Sequence, residues 1–478
     1  MMLLSEAANA IQAKLYGQDA MFTNVGTDSR NVTKGQLFVA LKGENFDGHD
    51  FAAKAIEQGA AAVLVSSPTL GVEPAILVED TYQALGALAA YWRSRFAIPF
   101  VAVTGSNGKT TVKEMIAAIL AEKTGSHEVI HATVGNLNNH IGLPLTLLKL
   151  RAIHQFSVLE MGMSHLGEIE YLTRIAKPNV AVVNNAGTAH IGEMGSRENI
   201  AKAKGEIFAG LSDDGVAVIN ADDEYASYWK SLNSGKKIVT FGLNVIGLNA
   251  GSLNASGLNK PADVSATYEE MDALSQVHLT TPQGRISFKL DVLGAHNISN
   301  ALAASAVAVA LGISNADIAR GLSSFSGVKG RLQRKPGLNG AVLIDDTYNA
   351  NPDSMKAAID VLAHQAGEKI LILGDMGELG ADAKRMHAEI GTYAKNAGLR
   401  SLHCLGALSV EMARGFGAGA NHYASPEDVA KVIKPLLSQD ATVLVKGSRF
   451  MKMERVVDLL EEKLNETAVM QKKLMENK

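Results

Sequence analysis

The sequence predicts an α/β protein of three domains. Three observations lead there. The chain has 478 residues, and a domain commonly takes about 150. Short runs of Val, Ile, Leu and Ala alternate with stretches of helical apolar spacing. That alternation marks βαβ units built on parallel sheets. Aromatics are only 5% of the residues while Gly supplies 45, which suits closely stacked layers joined by tight turns.

The first stretch, MMLLSEAANAIQAKL, has no basic lead, and Glu6 interrupts its apolar run. It predicts an amphipathic helix, not a signal peptide. FAAKAIEQGA (51–60) is predicted helical, and AAVLVS (61–66) and AILVE (75–79) are predicted strands. Asp80 is placed to cap the helix that follows. Pro99 ends that helix, since it lacks an N–H and restricts its predecessor. A first domain over 1–98 is therefore expected.

Strands FVAVTG (100–105), FSVLEMG (156–162), NVAVVNNA (179–186) and GVAVIN (215–220) build a second domain, 99–328. Segment 243–261, rich in Asn, Gly and Ser, reads as a loop or insertion. SQVHLTT and ISFKLDV predict antiparallel strands. A third domain, 329–478, repeats the alternation with AVLIDD, KILILGD, SLHCLG and ATVLVKG. It closes on a charged amphipathic helix beyond about residue 450.

Lys and Arg number 45 against 49 Asp and Glu, a net charge of −4. Such a balance gives no reason to expect nucleic acid or a membrane surface as partner. Cys404 is the single cysteine, so no intrachain disulfide or thiol metal cluster can form. The most apolar run, 301–313, is shorter than the roughly 20 residues that span a bilayer. A cytoplasmic protein without membrane insertion is expected.

The strongest chemical signal is VAVTGSNGKTT (101–111). A strand runs through Thr104 into Gly105, Ser106, Asn107 and Gly108, and Lys109, Thr110 and Thr111 open a helix. Backbone N–H groups of such a turn cradle phosphate, and the helix N-terminus adds partial positive charge. Lys109 suits the β/γ-phosphates of ATP, and the Thr110 hydroxyl suits Mg²⁺. Val103 stands where the strict Walker pattern has Gly, so this is a shortened loop. Glu160 ends a strand, at the sheet edge where ligands collect, and its carboxylate can hold Mg²⁺.

Weaker signals follow. His190 can ligate a metal, bond a phosphate or simply meet solvent. Lys202 and Lys204, two apart on one helix, cannot share a face. Asn297 and Asn300 lie on one face, placed to read adenine, or Asn297 caps the helix. Arg331 is a fork donor for phosphate. Asp346 can accept from ribose hydroxyls, and Asn351-Pro352 starts a helix. KGSR (446–449) repeats a basic strand end. Near the N-terminus, Thr27, Asp28, Ser29 and Arg30 form a polar surface suited to a diphosphate-linked sugar.

The ordered set TGSNGKTT, Glu160, His190, AKGEIF, HNISNALAA, KGR and DDTYNANP resembles the Mur ligase family over nearly the whole chain. GNLNNHIGLP, LEMGMSHLGEIE and GDMGELG are similar to the member that adds a dipeptide. The resemblance implies an ATP-dependent amide ligase of peptidoglycan precursor synthesis. UDP-N-acetylmuramoyl-tripeptide and D-alanyl-D-alanine are its implied substrates. It implies a UDP-sugar-peptide domain, a central ATPase and a Rossmann-like domain for the amino substrate. It assigns Lys109 and Thr110 to ATP and Mg²⁺. Glu160 and His190 go to two magnesium sites, and Lys204 becomes a carbamate formed from CO₂. Asn297 is assigned to adenine, Arg331 to phosphate and Asp346 to ribose. Ser29 and Arg30 face the uridine diphosphate, and Asn138 and Asn139 the muramoyl side. A monomer is expected. A GTPase switch would carry an N/T-K-x-D guanine motif, and the chain has none.

Overall fold

Three large sheets and a two-stranded ribbon organise the residues described in a computed structural model, namely 1–67, 71–243, 262–271 and 274–462. Most of the loop expected over 243–261, and the tail beyond 462, lie outside them. The ribbon pairs Met2–Leu3 with Met21–Phe22. The amphipathic helix expected at the start is therefore shorter, Leu4–Ala10, with a strand at Lys14–Tyr16. Gln12 takes φ +55° between them, a left-handed turn that stops a helix.

The first sheet runs Lys14–Tyr16, Ala75–Leu77, Ala62–Val65, Gln36–Val39, Asn24–Gly26. All its pairings are parallel except at the Lys14–Tyr16 edge. The helix Thr81–Ser94 follows. Asp80 caps it as the sequence predicts, accepting from the N–H groups of Tyr82 and Gln83. Its Leu85, Leu88 and Trp92 share one apolar core with Leu143, Leu147, Leu172 and Ile175. The N-terminal sheet is thus fastened to the next by buried surface.

The central sheet has nine strands among the described residues. Seven of them pair in parallel, from Ile130–Ala132 at one edge to Val264–Glu270. The hairpin Ser275–Thr281 and Gly284–Leu290 extends the same sheet in antiparallel fashion. Phe100–Thr104 lies between Phe156–Glu160 and Val180–Val183. The chain leaves it first towards one edge and later towards the other. Such a switch point opens a crevice at the carboxyl ends of the strands. The strand Phe100–Thr104 is fully buried, and helices Lys109–Thr124, Ala295–Ala310 and Asn315–Ser324 cover one face.

The third sheet runs Gln333–Pro336, Val342–Asp346, Ala441–Lys446, Glu368–Gly374, Leu402–Leu405, Ala420–Tyr423. Only its Gln333–Pro336 edge is antiparallel. Asn351 and Ser354 form a capping box, with Pro352 in the first turn of the next helix.

One buried cation braces the strands beneath the crevice. Lys113, on the helix Lys109–Thr124, is 2% exposed. Its Nζ donates to the Thr133 carbonyl at 2.6 Å and lies 2.6 Å from Glu114 Oε1. The Thr133 hydroxyl in turn accepts from the Glu160 N–H at 2.9 Å. Lys113→Met keeps the length and loses the donor. A lost hydrogen bond of a charged group costs about 1.5–3 kcal/mol, so urea unfolding should register a loss of that size. Unchanged stability would show that the brace carries no load.

Candidate active site at the central switch point

The strand Phe100–Thr104 ends in a turn, and Gly108 enters the helix Lys109–Thr124 with φ +79°. Side chains from neighbouring strands and helices hold the turn from behind. Ser106 N–H donates to the Asn185 carbonyl at 3.0 Å, and Asn107 N–H donates to Asn185 Oδ1 at 2.9 Å. Asn184 Nδ2 donates to the Asn107 carbonyl at 3.0 Å and to Asn300 Oδ1 at 2.9 Å. A Cβ on Gly108 would stand 2.2 Å from Asn300 Oδ1. Only glycine fits both that contact and that φ.

The asparagines expected to read adenine are also hydrogen-bonded within the protein. Asn300 Nδ2 donates to Asn297 Oδ1 at 3.1 Å, and Asn297 Nδ2 donates to the Leu293 carbonyl at 2.8 Å. Asn297 lies within the first turn, and Gly294 holds the cap position. Both line the cavity, and their amides carry a buried chain that supports the loop.

Glu160 stands opposite the loop and is buried. Its Oε2 accepts from the Thr110 hydroxyl at 2.9 Å, and its Oε1 accepts from Asn138 Nδ2 at 2.8 Å. Asn139 instead receives the N–H groups of Ile141 and Gly142, so it shapes the turn beside the cavity. Lys109 Nζ folds back and donates to the Gly105 carbonyl at 2.8 Å. Desolvation lowers its pKa, Glu160 opposes that, and Arg331 adds repulsion. Thr104 donates to the Met161 carbonyl at 2.8 Å and ties two strands. Ser106, Asn107, Gly108, Lys109 and Thr111 line the cavity itself.

The two helix lysines separate cleanly. Lys202 is exposed and pairs with Glu198 at 2.8 Å. Lys204 is 2% exposed and forms no hydrogen bond or ion pair among the described residues. Burial pushes its pKa well below the ordinary lysine value, and repulsion from Lys109 adds to the shift. Both causes favour the uncharged form of the amine. His190 lies at the cavity with Nδ1 2.8 Å from Glu378 Oε2 and 3.3 Å from Glu193 Oε2.

Residues beyond 329 close the other side. Arg331 Nη2 donates to the Thr110 hydroxyl at 3.0 Å, and its guanidinium stacks 4.3 Å from the Tyr348 ring centroid. Its Nε is buried and without a hydrogen-bond partner among the described residues. Asn351 Nδ2 donates to Asn107 Oδ1 at 2.8 Å, and Asp353 Oδ2 accepts from Thr188 N–H and hydroxyl at 2.7 and 2.9 Å. Asp346 lines the cavity but is paired with Lys446 at 2.6 Å. The whole cavity measures about 1110 Å³.

Ser29 and Arg30 are not part of this cavity. Ser29 is buried, while Arg30 is exposed and holds Asp28 at 2.9 Å. Sequence reasoning left Asn184, Asn185, Asp353, Glu378 and Lys446 without a role here. The Asn pair stood visible at the end of its strand, and Lys446 in the basic strand end. Glu378 stood within GDMGELG and Asp353 beside Pro352, with nothing local to name a partner for either.

The set fits a nucleoside triphosphate with Mg²⁺. An anion would satisfy the orphaned Arg331 Nε, and the N-terminus of the helix Lys109–Thr124 faces the same cavity. Comparison with known proteins agrees. The Mur ligase family, catalytic domain, matches residues 21–93. The Mur ligase middle domain matches 103–308, and the Mur ligase, glutamate ligase domain, matches 330–449. The UDP-N-acetylmuramoyl-tripeptide--D-alanyl-D-alanine ligase of Escherichia coli (strain K12) is 40% identical over 462 residues, 96% of this chain and 98% of that protein. A crystal structure of MurF from Acinetobacter baumannii superposes with a TM-score of 0.85 at 36% identity, covering 95% of this chain and 98% of that one. The MurF ligase of Thermotoga maritima in complex with ADP gives 0.79 at 29% identity, covering 91% and 96%. With three family matches in sequence order and a relative spanning nearly its full length, the chain belongs to the Mur ligase family.

Proposed function

We propose that this chain is the ATP-dependent ligase that joins D-alanyl-D-alanine to UDP-N-acetylmuramoyl-tripeptide, a step of peptidoglycan precursor synthesis. The observation that carries the reading is the convergence of Lys109, Thr110, Glu160 and Arg331 on one phosphate-type loop. The relatives' names supply the substrates, and the ADP complex supports the nucleotide. In this reading residues 1–98 bind the UDP-sugar peptide, with Ser29 and Arg30 at the uridine diphosphate. Residues 99–328 bind ATP, and 329–478 receive the dipeptide. Asn138 and Asn139 face the muramoyl side. Asn297, Asn300 and Asp346 border the adenosine. The enzyme acts as a cytoplasmic monomer. No helix of the described residues is long and apolar enough to cross a membrane.

The chemistry follows from a poor electrophile. A carboxylate resists attack by an amine, so the tripeptide's terminal carboxylate first takes the γ-phosphoryl group of ATP. ADP leaves and an acyl phosphate forms. The dipeptide amine then attacks the acyl carbon, and phosphate departs with its bridging oxygen. Two anions must approach in the first step, so fixed positive charge is the main requirement. Lys109 releases the Gly105 carbonyl and turns to the γ-phosphate. Arg331 offers its fork to the same group from the opposite wall. The contacts from Asn351 and Asp353 close the crevice against water. Mg²⁺, when bound, neutralises phosphate charge. Thr110 and Glu160 would hold one ion, and His190 and carbamylated Lys204 a second.

The carbamate assignment rests on the burial of the Lys204 amine, which has no hydrogen bond or ion pair among the described residues. The uncharged form of such an amine adds CO₂ through its nitrogen, releases one proton and becomes a carbamate, a carboxylate on a long arm that a cation site can use. The exposed and ion-paired Lys202 has no such need.

Phosphate release should require UDP-N-acetylmuramoyl-tripeptide, ATP and D-alanyl-D-alanine together. Release with a free amino acid in place of the dipeptide would assign the chain to a different reaction. Lys109→Ala should remain folded and lose roughly 10²–10³-fold in kcat; near-normal turnover would remove the lysine from the chemistry. Lys204→Ala should lose most activity and recover part of it in acetate, while Lys202→Ala stays active. ¹³CO₂ should add a carbamate carbon signal to the wild type that Lys204→Ala lacks. Its absence would dismiss the modification.

A further inference from the structure

We propose that Glu378, a residue of the third unit, is the positioning residue for His190 of the central unit. Docking of one unit on the other would thereby complete the active site. The proposal builds on the ligase reading above.

The two residues leave the carboxyl ends of strands in different sheets. His190 follows the strand Val180–Val183, and Glu378 follows Glu368–Gly374. The loops touch through their backbones: Gly192 N–H donates to the Glu378 carbonyl at 3.0 Å. A Cβ on Gly192 would stand 2.5 Å from the Gly380 nitrogen, so the contact admits no side chain. Ile191 packs against the apolar core of the third unit.

Both His190 and Glu378 hold φ +62°. Non-glycine residues rarely adopt this region, and each such position costs of order 1 kcal/mol. Their side chains meet across the joint. His190 Nδ1 is buried against Glu378, 2.8 Å from Oε2. The approach lies off the ring N–H axis, so it is an ion-pair distance that a small ring rotation turns into a hydrogen bond. Bonds of this kind commonly tighten when a site is loaded. Nε2 forms no hydrogen bond among the described residues, and His190 borders the cavity. A carboxylate on Nδ1 fixes the tautomer that leaves the Nε2 lone pair free. Glu193 reaches the same nitrogen at 3.3 Å from within its own turn; Glu378 alone brings the other unit with it.

The test compares Glu378→Ala, Glu378→Asp and a Glu193→Gln control in the full chain. Steady-state kinetics are paired with ¹⁵N NMR of histidine-labelled protein, and His190→Asn identifies the His190 signals. Loss of an outer carboxylate on such a histidine typically costs 10–100-fold, and Glu378→Ala should lose kcat by about that factor. KM for ATP and for the UDP-substrate should change by less than roughly threefold. Glu378→Asp should restore part of the loss. The His190 ring signals should shift towards a mixed tautomer in Glu378→Ala and much less in Glu193→Gln. Normal kcat in Glu378→Ala overturns the proposal, as does a slow variant with unchanged His190 signals. Glu378→Gln, which keeps the shape, serves if the alanine variant fails to fold. A wild type without ligase activity would dismiss the ligase reading, while the NMR comparison still decides the pairing.

Discussion

A turn of four residues carries the active site, and it keeps its shape because asparagines hold it from behind. The N–H groups of Ser106 and Asn107 serve that support, and those that open the helix Lys109–Thr124 remain to meet a phosphate. Asn185 holds Ser106 and Asn107, Asn184 holds Asn107, and Asn300 supports Asn184. Gly108 leaves room for that support. The switch point of the central sheet then sets where the turn stands and brings the buried carboxylate of Glu160 next to it.

The second requirement is closure. The first and central units share a continuous apolar core, whereas the third unit meets the phosphate loop through polar contacts. Arg331 reaches Thr110, Asn351 reaches Asn107, and Asp353 receives Thr188. Polar contacts of this kind are individually modest and can be exchanged for contacts with a ligand. That asymmetry suits an enzyme whose amino substrate must enter and whose product must leave. Ile191 and Leu293 add apolar contact to the joint with the third unit.

Local physics made much of the fold legible. Asp80 and Asn351 act within one helical turn, so their capping could be read from neighbours alone. Apolar runs gave the buried strands, and the antiparallel hairpin showed its alternation. The N-terminal helix was overextended because the pairing of Met2–Leu3 with Met21–Phe22 lies outside any helical window. In the site, the glycine turn, Lys109 and Glu160 announced themselves by position at strand ends. The support by Asn300 joins residues 116 apart in sequence, and no local pattern distinguishes it from adenine recognition. Helical period separated Lys202 from Lys204, but only packing decided which of them faces inward. Glu378 gained its place from a contact between two units, which spacing within either could not reveal.

The central claim is that this cavity attaches phosphate to a carboxylate before an amine attacks. Oxygen tracing reads that step directly. Substrate labelled with ¹⁸O in the tripeptide's terminal carboxylate is turned over with ATP and D-alanyl-D-alanine, and the released phosphate is examined by mass spectrometry or ³¹P NMR. The acyl-phosphate route delivers one ¹⁸O from each carboxylate to the phosphate. Unlabelled phosphate formed alongside the ligated product would contradict the account.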